Sequence, residues 1–230
     1  MFKVGIIGDE ASQDFQTVVD MAVEFNLDSI EVRSVWDKAP QELTDQDIDN
    51  MKQILEGTNV KIIGIASPFY KCDIDNTEER KEHINILKQC IKLAKAFDVN
   101  LIRTFVFWKI DNIEERWGEI VGSYDEPVRI AESEGITLGM ENEYSTNLAT
   151  AKLTERFIGE IDSPSVKAIW DPANEAHADQ DGETPFPDAY NRLKPFMIHA
   201  HLKDAARDPK TREMDSVEVG TGIIDWQGQL

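Results

Sequence analysis

The sequence predicts an α/β fold on a parallel sheet, arranged as a (β/α)8 barrel of the TIM type that stops at its seventh strand, with strand eight missing. Three observations carry this. Short apolar runs rich in Val and Ile alternate with longer amphipathic stretches, the pattern of repeated strand–helix units. The runs begin near residues 4, 29, 60, 101, 136, 166 and 197, about 32 residues apart, and eight such units make about 250 residues, the usual barrel size. No Gly/Ser-rich linker or low-complexity segment divides the 230 residues, so 1–230 reads as a single domain.

Each element follows from local pattern. Val4–Ile7 is the first strand, and Val18, Met21, Ala22 and Phe25 then recur at helical spacing. Ser29–Val32 is the second strand, and Thr44 followed by Asp47 is a helix start. Val60–Ala66 is the third strand. Asn76 followed by Glu79 opens a helix whose apolar face is Ile84, Leu87, Ile91 and Ala94, while His83 reads as a surface residue. Leu101–Phe107, Ile136–Met140, Val166–Trp170 and Met197–Leu202 are strands four to seven. A polar loop runs from Leu202 to Gly222, and Ile223–Leu230 reads as the beginning of a helix. Two architectures fit: a barrel truncated before its eighth strand, or an open seven-stranded sheet.

Charge limits the partners. Forty-four acidic against 24 basic residues give a net charge of −20, which repels phosphate backbones and argues against nucleic acid. The absence of a long apolar run and of a secretory leader at the start of the sequence argues for no membrane partner and a cytoplasmic protein. Cys72 and Cys90 are too few for a disulfide framework or a cysteine-rich zinc site, and both read as inert.

Side-chain alternation places the chemistry. In the seventh strand Ile198, Ala200 and Leu202 form an apolar face expected to pack on helices, leaving His199, His201 and Lys203 facing the interior. Glu31 and Arg33 of the second strand point inward, as do Gly139, Glu141 and Glu143 of the fifth, and Asp171 closes the sixth. Ionisable groups therefore gather at the C-terminal strand ends, where barrels carry their active sites. Burying that much negative charge without a cation is costly. Glu141, Asp171 and His201 suit a divalent metal, Mn²⁺ or Mg²⁺ first and also Zn²⁺. His177 divides between a solvated loop residue and a substrate contact, and Arg33, Lys203 and Arg103 between ion pairing and substrate binding. Trp36, Phe69, Trp108 and Trp170 read as core or mouth packing.

The segments IEVRSVWDK, ASPFYK, GMENE, WDPANEAH, HAHLKDA and VGTGIIDW resemble the sugar phosphate isomerase/epimerase group of xylose isomerase-like barrels, in the apurinic endonuclease family 2 superfamily. The resemblance runs from Gly5 to Trp226. It implies a metal-dependent enzyme of carbohydrate metabolism that isomerises or epimerises a small sugar, sugar phosphate or polyol through an enediolate. By the same resemblance Glu141 is a metal ligand that also exchanges the substrate proton, making it the catalytic residue. Asp171 and His201 are further ligands. Arg207 falls where epimerases carry a substrate-contacting arginine, and Asn174 where several members carry histidine. Arg33, His199, Lys203, Arg207 and His177 make up the expected substrate-binding set. The family's fourth ligand, a second catalytic Glu on strand eight, is not in the sequence. The alternatives are an inosose dehydratase-like lyase, or a barrel that lost catalysis and only binds ligand. A nuclease is opposed by the charge and by the lack of histidines in strands three and four. The apolar edge residues Val4, Ile6, Ile198, Ala200 and Leu202 lead to the expectation of a homodimer covering that side.

Overall fold

A computed structural model describes residues 2–178 and 181–230. Seven strands, β1 Gly5–Ile7, β2 Ser29–Val32, β3 Lys61–Ile65, β4 Leu101–Thr104, β5 Thr137–Glu141, β6 Val166–Trp170 and β7 Met197–Ala200, lie side by side in chain order. All adjacent pairs are parallel. This is the curled sheet of a TIM-type barrel, and among the described residues β1 and β7 are its two edges. Helices α1 Phe15–Glu24, α2 Asp45–Leu55, α3 Thr77–Ala96, α4 Ile113–Gly122, α5 Asp125–Glu134 and α6 Ala151–Ile161 connect the strands, with α7 Pro172–His177 and α8 Tyr190–Leu193 after β6.

The helix starts have side-chain causes. Asp14 accepts from the Thr17 backbone N–H, Asn76 from Glu79 and Thr150 from Leu153. At α2, Thr44 and Asp47 cap each other reciprocally, the arrangement their spacing predicts. One core of strand residues such as Ile30, Ile65, Ile102, Met140 and Ala168 packs against Phe15, Leu87, Tyr124 and Phe157 of the surrounding helices and loops.

Several expectations are corrected. His83 is buried, not a surface residue, because it lies on the same α3 stripe as Leu87, Cys90 and Ala94. Its Nδ1 accepts from the Tyr70 backbone N–H at 2.8 Å. Phe25 falls one residue past α1 and is exposed rather than part of its buried stripe. The fourth strand ends at Thr104; Phe105 and Phe107 leave the sheet and hydrogen-bond the 69–70 loop. The polar stretch after Leu202 contains an antiparallel hairpin, β8 Asp204–Arg207 with β9 Met214–Val217. It and the final helix α9 Trp226–Gln229 make a small second core: Ala173 and Ala176 of α7, Ala205 and Ile224, flanked by Met214 and Trp226. Ile198, Ala200 and Leu202 are not buried against helices as expected: all three are exposed at the β7 edge, Ile198 and Leu202 by about half. No helix among the described residues is long and apolar enough to cross a membrane.

Candidate metal centre at the sheet mouth

Each site residue is delivered by a strand end. Glu141 is the last residue of β5, Asp171 follows β6, and His201 follows β7, its N–H continuing the ladder to the Trp170 carbonyl at 2.9 Å. Asp171 is doubly determined. Its Oδ1 accepts from the Asn174 N–H at 2.9 Å as the N-cap of α7, with Pro172 at the first helical position. Asn142, the residue after β5, clasps its backbone through two 2.9 Å hydrogen bonds. The aspartate is thus fixed by the helix it starts and by the neighbouring strand.

Glu141, Asp171 and His201 each offer a ligand atom, all within 4.8 Å of one another, and all three are buried. His201 lies between two carboxylates: Nδ1 is 2.9 Å from Glu141 Oε1, and Nε2 is 3.1 Å from Glu31 Oε2. His199, two residues earlier on the same face, approaches the same Glu31 oxygen at 3.3 Å. Arg103 of β4 stands 3.3 Å from Glu141 Oε2.

The electrostatics follow from these contacts. Burial by itself would raise the Glu141 carboxyl, but Arg103 and His201 outweigh it and hold it at about 2. Burial would likewise raise Glu31, yet its hydrogen bonds to His199 and His201 hold it well below the ordinary carboxylate range. Burial and the Glu141 charge push Asp171 up to about 6, against a lowering by Lys203. His201 goes up to about 10: burial opposes protonation, and the Glu141 and Glu31 carboxylates override it. Arg103, protonated His201 and Lys203 supply cations against Glu31, Glu141 and Asp171.

The donor set still fits a divalent cation. Glu141 Oε2 is buried and makes no hydrogen bond beside its 3.3 Å ion pair with Arg103, Asp171 uses only Oδ1 for its cap, and two carboxylates with an imidazole suit Mn²⁺, Mg²⁺ or Zn²⁺.

The other expected site residues divide. Lys203 donates to Asn174 Oδ1 at 3.2 Å, beside Asp171. His177 stacks on Tyr144 with ring centroids 5.0 Å apart. Arg33 does not pair with Glu31: its guanidinium binds Asp9 at 2.9 Å and Glu10 at 2.7 Å, out on the rim. Arg207 is on the hairpin, exposed, donating to the Arg212 carbonyl at 2.6 Å. Around the mouth Lys71 pairs with Glu143 at 3.1 Å and lies 4.3 Å from the Phe105 ring centroid, near the exposed Trp108. Sequence reasoning underweighted Glu31 and Arg103. The inward alternation of Glu31 is legible in the sequence, but its reach across the sheet to His201 depends on curvature that no local pattern encodes.

The family model described as xylose isomerase-like TIM barrel matches residues 19–230. No curated protein matches. Among solved structures, the Escherichia coli 3-keto-D-glucoside 4-epimerase YcjR is 15% identical with a TM-score of 0.75, over 100% of this chain and 86% of that one. The Bacillus anthracis probable 3-DHS dehydratase AsbF is 19% identical with a TM-score of 0.76, over 98% and 86%. The IOLI protein, solved with a bound zinc atom, is 17% identical with a TM-score of 0.77, over 98% and 82%. Likeness at these identities establishes the shared fold.

Proposed function

The chain belongs to the xylose isomerase-like TIM barrel family, and on that premise we propose that it is a metal-dependent isomerase or epimerase of a small sugar, sugar phosphate or polyol. The observation that supports this most is the convergence of Glu141, Asp171 and His201 at the ends of three adjacent strands. These three residues would hold the cation, His201 through Nδ1, the ring atom beside Glu141. Mn²⁺ or Mg²⁺, with Zn²⁺ as the other candidate, would polarise a hydroxyl–carbonyl pair and acidify the carbon-bound proton next to it. Glu141 is the base that takes this proton, leaving an enediolate, and returns it from the same face to the neighbouring carbon; epimerisation additionally requires a second proton donor on the opposite face. Arg103 holds Glu141 in place, and Asn142 and Asn174 fix Asp171. Lys203, His199 and His177 line the approach, and Arg207 on the hairpin is the outer candidate for substrate contact. Arg33, already engaged by Asp9 and Glu10, acts on the rim. A lyase that expels water after the same proton removal would use the same residues, and its unsaturated product distinguishes it.

The test is solvent exchange. With Mn²⁺ and a panel of ketoses and inososes in D₂O, proton NMR should show deuterium entering beside the carbonyl. Glu141→Gln should reduce this rate at least about 100-fold while leaving the circular dichroism unchanged, since removing a general base typically costs 10²–10⁴-fold. Undiminished exchange in that variant would assign the base elsewhere.

A further inference from the structure

A second set of donors lies on the other side of the His201 ring. Glu31 Oε2, His199 Nε2 and His201 Nε2 converge, with ligand atoms within 4.8 Å of one another. We propose that Glu31, His199 and His201 form a second divalent-cation site, suited to zinc, distinct from the Glu141–Asp171–His201 centre and sharing only the His201 ring with it.

Geometry supports this first. Four-coordinate zinc holds nitrogen and oxygen ligands at about 2.0–2.1 Å, which sets neighbouring ligand atoms about 3.3–3.4 Å apart. The two imidazole nitrogens stand 3.1 and 3.3 Å from the one Glu31 oxygen, close to that spacing. Two imidazoles and one carboxylate are a donor set that catalytic zinc sites use, with the fourth position open. His199 has 24% of its side chain exposed, so solvent reaches this edge of the cluster, while Glu31 and His201 are buried.

The supporting shell is also present. With Nε2 engaged, His201 can donate its Nδ1 proton to Glu141 Oε1 at 2.9 Å, the carboxylate–imidazole pairing that orients metal-bound histidines. His199 and His201 share a face because they are two residues apart along β7 and its extension. Glu31 follows a register shift between Ile30 and Glu31 in the β2–β3 pairing, an irregularity of the kind that re-aims side chains. Glu141 and Glu31 thus exchange roles around one ring: whichever nitrogen binds metal, the carboxylate opposite orients it. The proposal does not depend on the sugar chemistry above.

The test separates the two centres with Zn²⁺ as the probe. Asp171→Asn keeps the α7 cap but disables the first centre. It should still bind one Zn²⁺ by calorimetry, and a nitrogen-15 imidazole spectrum should show the His199 resonance shift on addition of Zn²⁺. Adding His199→Ala to that variant should weaken Zn²⁺ binding at least about tenfold, or 1.4 kcal/mol. In the otherwise unaltered protein, Glu31→Gln should abolish the Zn²⁺-dependent His199 shift, a readout that survives if the Asp171 variant fails to fold. Equal Zn²⁺ affinity with and without His199, or a His199 resonance indifferent to Zn²⁺, would overturn the proposal and leave a hydrogen-bonded His–Glu–His tie. Loss of deuterium exchange with Zn²⁺ binding intact would count against the catalytic reading alone.

Discussion

Asp47 shows how much one side chain can organise. Its carboxylate takes both oxygens to Lys38 Nζ at 2.8 and 2.9 Å, and it accepts from the Thr44 N–H and hydroxyl. The Lys38 and Thr44 hydrogen bonds lower the Asp47 carboxyl to about 2. A carboxyl held below its unfolded value stabilises the fold above that value and ceases to do so as pH falls toward the folded one. Asp47→Asn should therefore lower stability by about 1–2 kcal/mol at pH 7, discounted because Lys38 is partly exposed. Urea titrations should show the difference shrinking as pH drops from about 4 to 2. A difference independent of pH would assign the effect to packing instead of charge.

Among the elements, the hairpin depends on Asp204. Its two oxygens accept from the backbone N–H groups of Ala205, Gly220, Gly222 and Ile224, tying the start of β8 to the loop before α9. Gly222 is required there, since a Cβ would lie 2.3 Å from the Ala205 carbonyl oxygen. Asp204→Ala strips four donors of one charged acceptor and should cost about 3 kcal/mol or more. Hydrogen exchange should accelerate at those four amides while β4 and β5 amides stay protected; uniform acceleration would contradict a local tie. The same elements show what sequence makes legible. The parallel strands were readable because each lies in a short, mostly apolar run between longer polar or amphipathic stretches, and α2 and α3 because Thr44–Asp47 and Asn76–Glu79 are local signals. The hairpin was not, because Asp204–Arg207 and Met214–Val217 have no apolar alternation, and Asp204 works through partners up to 20 residues away. Glu141, Asp171 and His201 were singled out by their places at strand ends. The link from Glu31 to His201 spans 170 residues, so only the curled sheet reveals it.

At the scale of the whole molecule, the two sheet edges are the exposed feature. Val4, Ile198 and Leu202 are 44, 46 and 49% exposed beside β1 and β7, whose outer backbone groups have no strand partner among the described residues. A two-fold pairing of copies would cover both edges at once. Light scattering at high concentration is expected to give twice the 26.1 kDa chain mass, and Ile198→Lys should return it to a monomer; a monomeric parent protein would rule the pairing out. The matched charges of the sheet mouth act at this scale too. Because Arg103 and His201 stand against Glu141 and Glu31, and Lys203 beside Asp171, the proposed site carries counter-charges of its own, and the polypeptide is expected to fold ahead of any ion: refolding in a chelator should recover the native circular dichroism, and refolding that requires added metal would contradict this.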